Sequence, residues 1–140
     1  MALLGKREKG YELFLSLEQR VNLEDDVLAL YFEHCKKQGF PLLKEPSFSG
    51  SGDQTWISFT LEEDLWGSIT YFNTNNEVMI QIYQKPSSNV TEDKLVAALS
   101  GFMQDLYSKT NIAFTAKKEG KKKYQYEKWE AMYPAHRTFL

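Results

Sequence analysis

The chain has 140 residues, 42% of them hydrophobic, 14% aromatic and 26% charged. That is the size and composition of one folded domain, and it excludes a mainly disordered chain. The net charge of −2 conceals a division: residues 1–111 hold 10 Lys/Arg against 16 Asp/Glu, residues 112–140 hold 7 against 3. With a pI near 5.7, the chain is not the basic domain that a dedicated nucleic-acid binder usually is.

Met1-Ala2-Leu3-Leu4-Gly5-Lys6 offers only a four-residue apolar start, too short for a signal-peptide core. Nothing approaches the roughly 18 apolar residues of a membrane span, so a cytoplasmic protein with no membrane association is expected. Asn89-Val90-Thr91 matches a glycosylation acceptor, but Thr91 is better explained as a helix cap.

In 11–17, Tyr11, Leu13, Leu15 and Leu17 alternate as in a strand, although Leu13, Phe14, Leu17 and Val21 also suit a helix. A helix is predicted over 23–38, with Asn22 as cap and Glu24-Asp25-Asp26 at the positive end of its dipole. Val27, Leu28, Tyr31, Phe32 and Cys35 form its apolar side, and Gly39 and Pro41 end it. Residues 39–53, rich in Pro, Gly and Ser, read as an exposed loop or flap.

Strands are predicted at 54–61, 65–72 and 77–84, joined by the turns Glu62-Glu63-Asp64 and Asn73-Thr74-Asn75-Asn76. Such short connections make antiparallel neighbours, a three-stranded meander. One face of it is uniformly apolar. The other mixes Trp56, Trp66, Phe72, Met79 and Tyr83 with Ser, Thr and Gln, and is either buried under a helix or a ligand or partner surface.

Thr91 then caps a second helix over 91–109, with Leu95, Val96, Leu99, Phe102, Met103, Leu106 and Tyr107 as its stripe. Ile112, Phe114 and Ala116 alternate again. Glu119-Gly120 suits a tight turn, after which Lys122, Tyr124 and Tyr126 return as a partner strand, and Glu127–Tyr133 suits a short helix.

The catalytic inventory is thin. Cys35 is the single cysteine, so no intramolecular disulfide forms, and the adjacent His34 diverges from it by about 100° on a helix. His136 is remote in sequence. The carboxylate clusters at 24–26 and 62–64 are explained by helix charge and a solvated turn. No metal-ligand spacing, phosphate loop or nucleophile elbow occurs, so no catalytic residue, metal or cofactor is assigned. Two acids distant in sequence that meet in a cleft would escape this reading.

The sharpest local anomaly is the lysine run Lys117, Lys118, Lys121, Lys122 and Lys123, followed by Tyr124, Tyr126 and Trp129. Its plainest reading is a solvated hairpin or a guarded sheet edge. Its functional reading is a partner-binding patch formed by those eight residues.

These features predict one α+β domain over 1–140. Its mainly antiparallel sheet has five to six strands and a central meander, with both amphipathic helices packed on one face. The function expected is that of a non-catalytic protein-binding module (an inhibitor, immunity protein, chaperone or adaptor) facing an acidic partner surface. The alternatives are a nucleic-acid-associated protein using the Lys117–Lys123 hairpin, and a ligand-binding protein or enzyme with a pocket over the aromatic sheet face. The oligomeric state is not encoded in any motif.

Overall fold

The computed structural model describes residues 9–62, 64–125, 128–131 and 134–139, with side chains for 10–23, 26–62 and 64–117. Strand β1 (Lys9–Leu17) leads into a wide π-helical turn (Leu23–Leu28) and helix α1 (Ala29–Lys37). Then come β2 (Ser47–Ser51), β3 (Gln54–Leu61), β4 (Leu65–Phe72) and β5 (Glu77–Gln84), followed by α2 (Glu92–Thr110). Strands β6 (Phe114–Gln125), β7 (Lys128–Ala131) and β8 (Pro134–Phe139) complete the described elements.

The fold is α+β. One antiparallel sheet runs in the order β2-β3-β4-β5-β1-β6-β7, and β8 shares the outer edge of β6 with β7. The predicted meander is β3-β4-β5. It pairs Ile57 with Ile69 and Ile69 with Ile80 in register, so the apolar side chains of three strands stack in rows on one face. The first strand, β1, closes the gap between β5 and β6 by pairing with both.

Both helices lie on the apolar face. Leu95, Ala98, Leu99, Phe102, Met103 and Leu106 of α2 are buried at helical spacing, and α2 sits over β1 and β6. Helix α1 packs beside α2 and brings Tyr31 and Phe32 edge-on to Phe59 of β3, with ring centroids 5.8 and 5.2 Å apart. Tyr31 also meets Phe102 at 5.1 Å, which ties the two helices to one aromatic cluster.

Local chemistry sets the helix ends. The side chain of Thr91 accepts from the Lys94 backbone N–H, and Asn111 closes α2 in the left-handed conformation at φ 58°. At the end of α1, Gly39 (φ 91°) lets its own N–H reach the Lys36 carbonyl while the Phe40 N–H reaches that of Cys35. These paired reverse bonds turn the chain so that Phe40 enters the core.

Gly67 serves packing. Its partner across β3 and β4 is Phe59, whose ring lies where a Cβ would stand: an added Cβ falls 2.7 Å from Phe59 Cζ and closer still to the Gln81 carbonyl.

Four expectations change. The helix predicted over 23–38 opens as the π-helical turn Leu23–Leu28 and is α-helical only from Ala29 to Lys37, with no acidic residue in its first turn. Residues 47–51 of the predicted loop form the edge strand β2, although Ser-Phe-Ser-Gly-Ser carries little strand propensity. The chain does not turn at Glu119-Gly120, because β6 continues through it, held by β1 on one edge and by β7 and β8 on the other. The expected strands after 111 thus merge into one. In place of the short helix at 127–133, residues Lys128–Ala131 form β7.

Candidate functional site

With both helices on one side, the opposite face of the sheet has no helix over it among the described residues. Alternation along β3, β4, β5 and β1 decides what that face shows. Ile57, Ile69, Val78, Ile80 and Leu13 point to the core and are buried. The intervening Trp56, Trp66, Phe72, Met79, Tyr83 and Phe14 point the other way and are half-buried.

Register sorts these side chains into rows across the sheet. Trp56, Thr70, Met79 and Phe14 form one row, and Thr60, Trp66 and Tyr83 form another. The rings of Trp66 and Tyr83 stack at 4.3 Å and 21°, and Phe14 stacks on Phe72 at 6.0 Å and 3°. Between the two rows runs a polar line of Ser58, Ser68, Gln81 and Glu12. There Gln81 Nε2 donates to Glu12 Oε1 at 2.9 Å, while its Oε1 accepts from the Ser68 hydroxyl at 3.4 Å. The result is a flat platform of rings with a hydrogen-bonding stripe through its middle.

Lys117 joins this platform. The ladders of β6 with β1 and with β8 both change register at this residue, which makes it a β-bulge. Its Nζ lies 2.6 Å from Glu77 Oε2 and 5.9 Å from the centroid of the Phe14 ring. The rest of the lysine run follows along the same strand, with Lys118 opposite Phe14, Lys121 opposite Tyr11 and Lys122 opposite Gly10. Lys123 and Tyr124 pair with Glu130 and Trp129 of β7. Tyr126 lies outside the described residues, as do the side chains of Lys118, Lys121, Lys122, Lys123, Tyr124 and Trp129.

The five sheet-face residues named from the sequence therefore share one surface, and the lysine run occupies a strand next to it. Phe14 belongs to that surface as well, while Glu12 and Thr70 share its side of the sheet but are buried. Alternation in 11–17 already turned Phe14 and Glu12 away from the apolar side. What it did not carry was the long-range pairing that lays β1 against β5.

The reactive side chains lie elsewhere, among the helices. Cys35 is fully buried on α1, and burial pushes its thiol up to about 12, so it is held as the unreactive neutral form. Tyr31, one turn earlier, is raised well above the usual phenol range by burial first and then by Cys35. Its hydroxyl has no regular hydrogen-bond partner, since a neighbouring thiol is only a weak donor and acceptor.

His34 points away from both, toward α2. Its Nδ1 is 2.8 Å from Asp105 Oδ2 and its Nε2 is 3.2 Å from the Ala97 carbonyl. It acts as an interhelical brace. Among the described residues no group of three His, Cys, Asp or Glu side chains converges as a metal site, and no helix is long and apolar enough to cross a membrane.

Comparison with protein-family models, with curated proteins and with solved structures finds no match. The chemistry of the platform is thus the basis for a functional reading.

Proposed function

We propose that this protein is a non-catalytic protein-binding module whose contact surface is the open aromatic face of the sheet together with the lysine-bearing strand β6 beside it. One observation carries the reading: both helices pack on one face, leaving two stacked ring pairs, Trp56 and Met79 half-exposed on the other. Large apolar side chains gathered on a surface mark an interaction site, and Trp, Tyr and Met are the types enriched at interface cores.

The partner that fits is a protein presenting apolar side chains to the ring rows and carboxylates toward β6. Ser68 and Gln81 supply hydrogen-bonding groups at the centre. Such a surface suits an inhibitor, immunity protein, chaperone or adaptor.

Stacked rings beside lysines also suit single-stranded nucleic acid. The platform, however, carries the carboxylate of Glu77, and Lys117 is already paired with it. A polyanion is repelled there, so a protein partner is the better reading.

The test is capture from native lysate on the immobilised protein, with and without nuclease, beside a Met79→Glu variant and a triple Lys121→Glu, Lys122→Glu, Lys123→Glu variant. A stoichiometric protein that survives nuclease and is lost by both variants supports the proposal. Recovery of nucleic acid with a steep salt dependence, or a partner indifferent to Met79→Glu, overturns it.

A further inference from the structure

Along β5, Met79, Gln81 and Tyr83 follow one another at two-residue intervals on the open face of the sheet, each half-buried. That interval is about 7 Å in a strand. An apolar, an amide and an aromatic side chain therefore stand in line, with Ser68 and Trp66 of β4 beside the last two.

Gln81 is the member of this line whose polar atoms have a fixed direction. Its Nε2 donates to Glu12 Oε1 at 2.9 Å, and its Oε1 accepts from the Ser68 hydroxyl at 3.4 Å. Glu12 is buried, and a carboxylate only accepts, so the nitrogen is the end turned to β1 and the oxygen the end turned to β4. A primary amide offers two N–H donors and two lone pairs. These bonds use one of each. One N–H and one lone pair of Gln81 remain uncommitted at the centre of the platform.

We infer that Gln81 selects the platform's partner: it pairs with the side-chain amide of an Asn or Gln on an extended segment lying along β5, with an apolar residue two positions to either side. The inference rests on the platform being the contact surface, and it names what that surface reads. The partner's conformation follows from spacing. Alternate residues of an extended chain are also about 7 Å apart, so three of them meet Met79, Gln81 and Tyr83 in step, as in aligned sheet packing. A helix advances about 5.4 Å per turn and falls out of step over the same three positions.

The central group follows from valence. A second amide supplies the one acceptor and the one donor that Gln81 has left. A carboxylate brings no donor and meets the charge of Glu12, an ammonium brings no acceptor, and an apolar side chain covers both Gln81 groups without pairing either. Glu12 is a positioning residue in this scheme, because it fixes which end of the Gln81 amide donates.

Selection from a phage-displayed library of random linear dodecapeptides on the immobilised protein tests the inference. Enriched peptides are expected to share an Asn or Gln with apolar residues two positions before and after it. The same selection on Gln81→Met is expected to move the central preference from amide to apolar, a change of specificity that a damaged fold does not produce. Far-UV circular dichroism checks the variant. A synthetic copy of an enriched peptide gives a second test that needs no protein variant. Exchanging its central Asn for Asp, or Gln for Glu, is expected to weaken binding to the wild-type protein about tenfold or more. Peptides with no shared amide, a central preference unchanged by Gln81→Met, an acidic copy that binds equally well, or no enrichment at all overturns the inference. A lysate partner lost by Met79→Glu but indifferent to Gln81→Met also overturns it, and leaves the platform's role as a contact surface intact.

Discussion

Trp66 and Tyr83 lie directly opposite each other on β4 and β5, with ring centroids 4.3 Å apart and planes inclined by 21°. The pair sits on the sheet face that carries no helix among the described residues, and both rings are half-exposed. Replacing Trp66 by Ser therefore separates stability from binding. The cost to folding is expected near that of one cross-strand aromatic pair, about 1 kcal/mol. Partner capture is expected to fall far more, as for an interface anchor. Chemical denaturation and a binding titration on the same sample check both.

Two polar links between α1 and α2 differ in worth. His34 is buried and places one ring nitrogen on Asp105 and the other on the Ala97 carbonyl. His34→Ala removes both bonds and opens space against Gly101. A loss of about 2–3 kcal/mol is expected. Glu33 and Lys109 also link the helices, and Lys109 holds the Glu33 carboxyl below its usual range, but this pair is exposed. Lys109→Ala is expected to leave the unfolding midpoint unchanged. Comparable losses from both would contradict this ranking.

Tyr31 carries a hydroxyl into the core without a regular hydrogen bond. Its ring makes edge contacts with Phe59 and Phe102 that do not need that oxygen. Tyr31→Phe keeps the rings and removes the unpaired group, so a gain of about 1 kcal/mol is expected. Thermal unfolding of the single variant is sufficient, and a lower midpoint would show that the hydroxyl is satisfied after all.

Alkali should destabilise this protein through its buried thiol and phenols. Burial raises Cys35 from 9.0 to about 12 and Tyr11 from 10.0 to about 12, with Glu92 adding to the second, and raises Tyr31 further. These groups are neutral when protonated, and the unfolded chain releases their protons first. Stability is full below the unfolded values and is lost as pH rises through about 9 toward 12. Denaturant midpoints are expected to fall steadily across that window. The Cys35 thiol is expected to resist labelling at neutral pH until the chain unfolds.

Gly67 is the point where the meander has no spare room. An added methyl meets the Phe59 ring and the Gln81 carbonyl, and the carbonyl is backbone that cannot swing aside. Gly67→Ala is expected to cost about 2 kcal/mol or more, against the usual gain for Gly→Ala in an unstrained strand. A paired Gly67→Ala, Phe59→Leu variant should recover part of the loss, and a neutral single variant would show that β4 and β5 yield.

What the sequence determined by itself was everything written in contiguous residues. The stripe from Leu95 to Leu106 and the Thr91 cap specify α2, because a helix repeats every 3.6 residues along one segment. Alternation from Ile57 to Ile82 specifies the meander and separates its apolar face from Trp56, Trp66, Phe72, Met79 and Tyr83. Tertiary structure decided the rest. Glu119-Gly120 reads as a turn because Glu and Gly have low strand propensity, yet it is drawn straight by pairing with β1. Ser47–Ser51 has no periodic signal and is a strand only because β3 offers it a partner. Phe14 against Phe72 and His34 against Asp105 join residues 58 and 71 positions apart, and no local pattern encodes such distances. Periodicity belongs to a segment, but register, burial and the exposed face belong to the partner that the segment finds.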